Sequence, residues 1–263
     1  MKERLTIVKV GGKIIENDAS LSLFIEAFTQ LKGKKLLVHG GGNIATKLAS
    51  DLGIQTHMID GRRVTNDRMI EVVIMSYGGL INKKLVALLN AGRVNSIGLT
   101  GADGNCILSC KRPIKNGVDY GWVGDIESVD ANFLGQLIVD DITPVLAPLT
   151  YDRQGHLLNT NADTISSEVA IALSAKYEVT LNYVFDQKGV MKDISNPDSL
   201  IRSIDLATYD SLKKEHVITD GMIPKLDNAF YTIEKGVTEV KLLNVDALSN
   251  LQNSEFDEYT SIR

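Results

Sequence analysis

KLLVHGGGNIATKLASDLG, residues 35–53, reads as a strand, a glycine turn and a helix. KLLVH (35–39) is an apolar run of strand length. After it, Ile44, Leu48 and Leu52 fall on one helical face, and Gly53 marks a stop. Gly40, Gly41 and Gly42 join the two elements. A glycine loses more backbone entropy on folding than any other residue, so this turn needs something a side chain would prevent. Two readings are open. One is a tight turn that requires positive φ. The other is an anion cradle, in which bare backbone N–H groups approach a negative ligand and the next helix adds its N-terminal partial charge.

The pattern recurs outward from this stretch. LTIVKV (5–10) is a buried strand ending in Gly11 and Gly12, followed by a helix over 20–32 with Leu21, Phe24, Ile25, Phe28 and Leu31 on one face. A long helix is expected over 67–92, interrupted near Gly78 and Gly79, then a strand over 94–101 and short strands and turns over 105–127. ITPVLAPL (142–149) is a strand, 162–176 a helix, VTLNYVF (179–185) a strand, 224–236 a helix, and VTEVKLLNV (237–245) the closing strand. Such alternation predicts an α/β three-layer αβα sandwich with a central, mostly parallel sheet. Residues 1–263 are expected to form one domain of two lobes, 1–178 and 179–263, sharing the sheet. In such sheets ligands bind beyond the carboxyl ends of the strands, where both glycine clusters sit. Two clusters at parallel strand ends favour the cradle. Neither matches GxxxxGK[ST] or GxGxxG, so a P-loop and a dinucleotide fingerprint are both missing.

The 28 Lys and Arg against 33 Asp and Glu give a net charge of −5. With no basic block, this disfavours nucleic acid and anionic membranes as partners. No apolar run approaches the ~18 residues of a membrane span, and MKERLTIVKVGG has no signal-peptide pattern. Cys106 and Cys110, if both lie on one strand, share a face roughly 13 Å apart, too far for a disulfide. Reduced thiols and a cytoplasmic location are therefore expected. His39, His57, His156 and His216 are scattered, and no metal-ligand spacing is present.

Three charged residues are out of pattern. Lys9 stands among Ile7, Val8 and Val10, where a lysine is costly unless paired, functional or able to snorkel to solvent. Asp163 closes NTNAD (159–163) at a helix start, either as a helix-terminal charge or as a site residue. Lys225, in TDGMIPK (219–225), opposes the dipole of the helix it begins. It is either solvated or held by something else.

Together KVGGK, HGGGN, GRRVT, NTNAD and TDGMIPK resemble the acetylglutamate kinase family of the amino-acid kinase superfamily, in order and spacing across essentially the whole chain. KxGG alone is weak; HGGG followed by NxNAD and GMIxK is specific. The resemblance implies transfer of the ATP γ-phosphoryl group, with Mg²⁺ held mainly by phosphates, to the side-chain carboxylate of N-acetyl-L-glutamate. The product is an acyl phosphate, made early in arginine biosynthesis. It further implies that Lys9 and Lys225 flank the transferring group and Asp163 orients them. Gly12, Gly41 and Gly42 would donate to the phosphoryl group and substrate, Arg63 would hold the α-carboxylate, and Asn159 would grip the acyl-amino-acid backbone. Asp186, Gln187, Lys188, Gly189, Val190 and Met191 would pack adenine and ribose, with Val217, Ile218 and Thr219 closing that pocket. A carboxylate nucleophile is already ionised at neutral pH, so no general base is expected.

Two departures stand out. Ala102 occupies a GxDG turn position where many members carry a lysine or other polar residue. Arg62 adds a second cation beside Arg63. Alternatives are the same chemistry on N-succinyl-L-glutamate, whose terminal carboxylate Arg62 could meet, and a catalytically silent kinase-like ligand sensor. A nicotinamide oxidoreductase is disfavoured by the missing fingerprint. Members inhibited by arginine carry an extra N-terminal helix that links dimers. Only MKER precedes LTIVKV here, so a homodimer without arginine inhibition is expected.

Overall fold

A computed structural model describes residues 2–263 except Asp60, Ile194, Pro197, His216, 219–221, Gln252 and Ser254. In chain order the first elements are β1 (Glu3–Val10), α1 (Gly12–Glu16), α2 (Asp18–Gln30), β2 (Lys34–His39), α3 (Gly42–Asp51), β3 (His57–Ile59) and β4 (Arg62–Val64). Then α4 (Asp67–Val73) runs through a π-helical segment (Ile74–Ile81) into α5 (Asn82–Ala91). Next come β5 (Ser96–Leu99), β6 (Ile107–Lys111), β7 (Gly124–Val129), α6 (Ala131–Val139), β8 (Thr143–Leu146), β9 (Leu149–Tyr151), β10 (Leu157–Asn159) and α7 (Ala162–Ser174). The last are β11 (Tyr177–Val184), β12 (Ser203–Ile204), α8 (Leu206–Lys214), α9 (Ile223–Glu234), β13 (Glu239–Leu243), α10 (Val245–Asn250) and β14 (Thr260–Ile262).

Eight strands form the main sheet in the order β12-β14-β13-β11-β1-β2-β8-β5. β1 lies at its centre, parallel to β11 and β2. Both faces are covered, so the strand alternates between two cores. Leu5 and Ile7 join one with Leu36, Val38, Ile165 and Val169, while Val8 and Val10 join the other with Leu37, Phe24 and Phe28. Lys9 has the parity of Leu5 and Ile7, and so it faces the layer that contains α7. β6, β7, β9 and β10 make a smaller sheet.

Two expectations need correction, and a third takes a particular form. The interruption expected near Gly78 and Gly79 is a π-helical segment, Ile74–Ile81, and it does not break the helix. One continuous helix runs Asp67–Ala91, 25 residues, long and apolar enough by composition to cross a membrane. Its stripe of Met69, Val72, Val73, Tyr77, Ile81, Leu85 and Leu89 is buried in the protein's core, which accounts for that composition. The π-helical turn absorbs both glycines by widening the helix instead of breaking it. β13 is not the closing strand, because α10 follows it and β14 then pairs antiparallel with it. Cys106 and Cys110 do not share a face. β6 starts only at Ile107, so Cys106 sits buried in a turn before the period-2 alternation begins, and Cys110 is exposed.

Candidate active site

The carboxyl ends of β1 and β2 pass directly into their glycine turns. Gly11 N donates to Val184 O and Gly40 N to Val10 O, both at 3.0 Å, which lays the two turns side by side. A cleft of about 300 Å³ opens over them. Its lining includes Lys9, Gly12, Gly40, Gly41, Gly42, Arg62, Arg63, Tyr77, Asn159 and Asp163. Among the described residues, no protein acceptor takes the N–H of Gly12, Gly41 or Gly42. These are free donors facing one space, the arrangement an anion requires.

Asp163 is the hub of the site. Asn161 caps α7 through its side chain, accepting from Asp163 N and Thr164 N at 2.8 and 3.1 Å, and so fixes the helix start beside β1. Lys9 Nζ lies 2.6 Å from Asp163 Oδ1, and Lys225 Nζ, from the first turn of α9, donates to Oδ2 at 2.7 Å. The contact of Lys9 with Oδ1 is a close ion pair. Burial pushes the Asp163 carboxyl up, yet the two lysines outweigh burial and hold it below the usual carboxylate range. Burial lowers the Lys9 ammonium, against the raising effect of Asp163. Two cations and one anion leave the cluster with a net positive charge, which suits an anionic ligand. Asn228 donates to Asp163 O, Ser167 Oγ and Tyr183 Oη, tying α9, α7 and β11 together behind the hub.

Arg63 is buried at the other end of the cleft. Its Nη2 donates to Gly42 O and Thr46 Oγ1, both at 2.8 Å, and Nη1 to Thr56 Oγ1 at 3.3 Å. Asn159 donates to Thr65 Oγ1 at 3.0 Å. Arg62 is exposed and lines the same cleft, whereas Ala102 lies outside it. None of Asp186, Gln187, Lys188, Gly189, Val190, Met191, Val217 or Ile218 lines this cleft. Asp186 pairs with Lys13 and Lys188 with Glu258, while Val190 and Ile218 are buried in the core with Leu226. Thr219 lies outside the described residues. Among the described residues no group of three His, Cys, Asp or Glu side chains could hold a metal ion.

Sequence reasoning missed Tyr77, Asn82, Ser167, Tyr183 and Asn228, because each acts through a partner distant in the chain. It quoted His39 without giving it a role. His39 is fully buried between Gly40 O and Asn82. Burial lowers its pKa to about 4, against an ordinary 6.5. Above pH 6.5 both folded and unfolded imidazoles are neutral. Between 6.5 and about 4 only the unfolded chain takes the proton, so stability is lost as pH falls, by about 3 kcal/mol across the window. The stability difference between wild type and His39→Asn, from urea unfolding, should therefore shrink on acidification through that range. A pH-independent difference would show that His39 is not a buried neutral base.

The profile of the amino acid kinase family matches residues 4–244. The acetylglutamate kinase of Bacteroides thetaiotaomicron is 52% identical over 250 residues, covering 95% of this chain and 97% of that protein. The acetylglutamate kinase of Methanopyrus kandleri is 34% identical over 247 residues, covering 93% and 96%. Among solved structures, N-acetylglutamate synthase from Neisseria gonorrhoeae, complexed with coenzyme A and N-acetyl-glutamate, has a TM-score of 0.80 at 22% identity, over 98% of this chain and 59% of that one. Carbamate kinase from Giardia lamblia bound to AMP-PNP has a TM-score of 0.67 at 13% identity, over 99% and 98%. At those identities the structural likeness establishes the fold alone. The free glycine donors, the lysine–aspartate–lysine cluster and the full-length relatives converge: this chain belongs to the amino acid kinase family and, within it, to the acetylglutamate kinases.

Proposed function

We infer that this chain transfers the γ-phosphoryl group of ATP to the side-chain carboxylate of N-acetyl-L-glutamate, an early step of arginine biosynthesis. The observation that carries this reading is Asp163 held between Lys9 and Lys225 beside three free glycine N–H donors. Phosphoryl transfer asks a protein mainly for positioning and charge neutralisation. The carboxylate attacks phosphorus in line, the bond to the ADP oxygen breaks, and ADP leaves with that electron pair. No proton has to be removed from the nucleophile. Lys9 and Lys225 balance charge on the transferring group from two sides, with Asp163 setting their spacing. Gly12, Gly41 and Gly42 donate to phosphoryl and substrate oxygens.

Mg²⁺ fits this donor set only as part of the nucleotide. Among the described residues Asp163 is the one carboxylate lining the cleft, and a lysine occupies each of its oxygens. The ion would be held by phosphate oxygens, as is usual for magnesium in phosphoryl transfer. It would supply further neutralisation of phosphate charge. Adenine and ribose are assigned to 186–191 and 217–219, and the two lobes to 1–178 and 179–263. The chain is further assigned as a homodimer through the outer face of the helix Asp67–Ala91, where Met75 and Leu80 are exposed, as is Ile97 on the edge strand β5. Light scattering at the monomer mass over the micromolar range would remove that assignment.

An ATP-dependent assay that traps the acyl phosphate as a hydroxamate tests the function. N-acetyl-L-glutamate should give product, N-succinyl-L-glutamate less, and glutamate little. No hydroxamate from any of them would favour a silent sensor. Arg63→Ala should raise KM for N-acetyl-L-glutamate by roughly 10- to 100-fold, since a hydrogen bond to a charged group contributes about 1.5–3 kcal/mol. An unchanged KM would leave Arg63 as a strut for Gly42 and Thr46 only.

A further inference from the structure

His39 closes β2 immediately before the glycine turn, yet its ring does not reach the cleft as a ligand. It is fully buried, and its two ring nitrogens have different partners. Nδ1 lies 2.8 Å from Gly40 O, and Nε2 lies 3.3 Å from Asn82 Nδ2. The second amide hydrogen of Asn82 goes to Val145 O at 2.9 Å. A backbone carbonyl can only accept, so Val145 O and Gly40 O constrain the network from its two ends. Val145 O requires the Asn82 amide nitrogen to face it, and that nitrogen then donates to Nε2. Gly40 O requires a proton on Nδ1. A neutral imidazole carries one proton and one lone pair, and both ends demand the same tautomer.

Gly40 O and Gly41 N–H belong to one planar peptide unit and point in opposite directions when it is trans. The chain has no cis peptide among its described residues. Fixing the carbonyl therefore fixes the direction of the N–H. Gly41 is buried, and its N–H has no acceptor among the described residues. Buried N–H groups are nearly always paired, and this one lines the cleft, where it can donate to a bound anion. Asn82 sits where the π-helical segment passes into α5, and Tyr77 and Ile81 of that segment lie beneath Gly41. Among the described residues Asn82 Oδ1 is buried with no hydrogen-bond partner, so the amide is oriented by the two acceptors its nitrogen meets.

We propose that His39, oriented by Asn82, is a positioning residue whose Nδ1–H holds the Gly40–Gly41 peptide so that the Gly41 N–H faces the transferring phosphoryl group. This rests on the kinase reading above. His39 touches neither substrate nor reacting atoms; it acts through the peptide. The wide π turn thereby has a purpose, because it ends at the asparagine that sets the histidine's tautomer.

His39→Asn and His39→Gln separate this role from packing. An asparagine amide nitrogen reproduces the Nδ1 donor, whereas a glutamine amide reaches the Nε2 position and leaves Gly40 O unpaired. Glutamine nevertheless replaces more of the lost volume. Positioning predicts that His39→Gln loses on the order of 10²-fold in kcat, the effect of a misplaced donor, with KM for N-acetyl-L-glutamate little changed. His39→Asn should lose less than about tenfold, since it keeps that donor. Thermal melts confirm that each variant is folded. Losses in the opposite order, following volume, would overturn the proposal, as would wild-type kcat in a folded His39→Gln. If either variant fails to fold, ¹⁵N NMR of the wild-type imidazole decides. A proton on Nδ1 and a bare Nε2 are expected, and the reverse tautomer overturns the inference. A wild-type protein that makes no acyl phosphate would instead sink the kinase reading, and the tautomer would still be measurable.

Discussion

Lys225→Met should lower kcat by about 10²–10³, the usual effect of removing one donor to transition-state charge, while the protein stays folded. Lys9→Met should do the same. The reasoning starts from the charge count. With both lysines present the cluster is net positive, and in the proposed reaction charge on the migrating phosphoryl oxygens is met from both sides. Removing either lysine leaves Asp163 matched by a single cation, with no excess for the substrate. The loss should therefore fall on kcat more than on KM for N-acetyl-L-glutamate, whose α-carboxylate is proposed to meet Arg63. Stability should change far less than rate. The Lys225 side chain is partly exposed, and methionine keeps the packing of the lysine stem. Lys9 lies deeper, but burial already disfavours its charge, and Asp163 retains Lys225. Steady-state kinetics alongside thermal melts decide the matter. A folded variant with near-wild-type kcat would remove that lysine from the machinery.

Gly41→Val should abolish most turnover and also destabilise the fold, by about 1–3 kcal/mol from the backbone alone. Gly41 has φ +151°, a conformation that L side chains rarely adopt. A Cβ built there would lie 2.2 Å from Ile81 Cδ1 and 3.4 Å from Tyr77 Cε1. The tip of the Ile81 side chain could give way, but the strained φ would still displace the turn and take the Gly41 N–H with it. A 1 Å displacement can cost about 10²-fold in rate. The side chain would thus act from beneath the cradle and not by intruding on it from the cleft. Gly42→Ala is the control for stability. At Gly42 a Cβ would meet nothing within 4 Å, and the residue has no positive φ. Its melting temperature should therefore hold or rise, as alanine favours a helix over glycine by about 1 kcal/mol. If Gly41→Val melted like wild type, the turn would be more pliant than its contacts imply.

Much of this was legible in the chain itself. The apolar runs and helical faces specified the αβα layers, because a strand's period of two and a helix's period of 3.6 are local properties. The glycines at the ends of two parallel strands pointed to the cleft, since only bare backbone allows that approach. Lys9 declared itself by being charged where its neighbours are apolar. Periodicity gave the long helix over 67–92 but not the π-helical form of its middle, because two glycines lower helix propensity only weakly and tertiary packing decides how the backbone carries them. β14 was also hidden, since its few residues become a strand only by pairing with β13 and β12. The same holds at the site. The motifs named Lys9, Asp163 and Lys225, but only the folded chain puts both ammonium groups on one carboxylate, across 62 residues in the case of Lys225 and Asp163. Asn82, Tyr183 and Asn228 carry no local signal at all. Their roles are hydrogen bonds to distant groups, and such bonds exist only after the sheet has set the register of β1, β2 and β11.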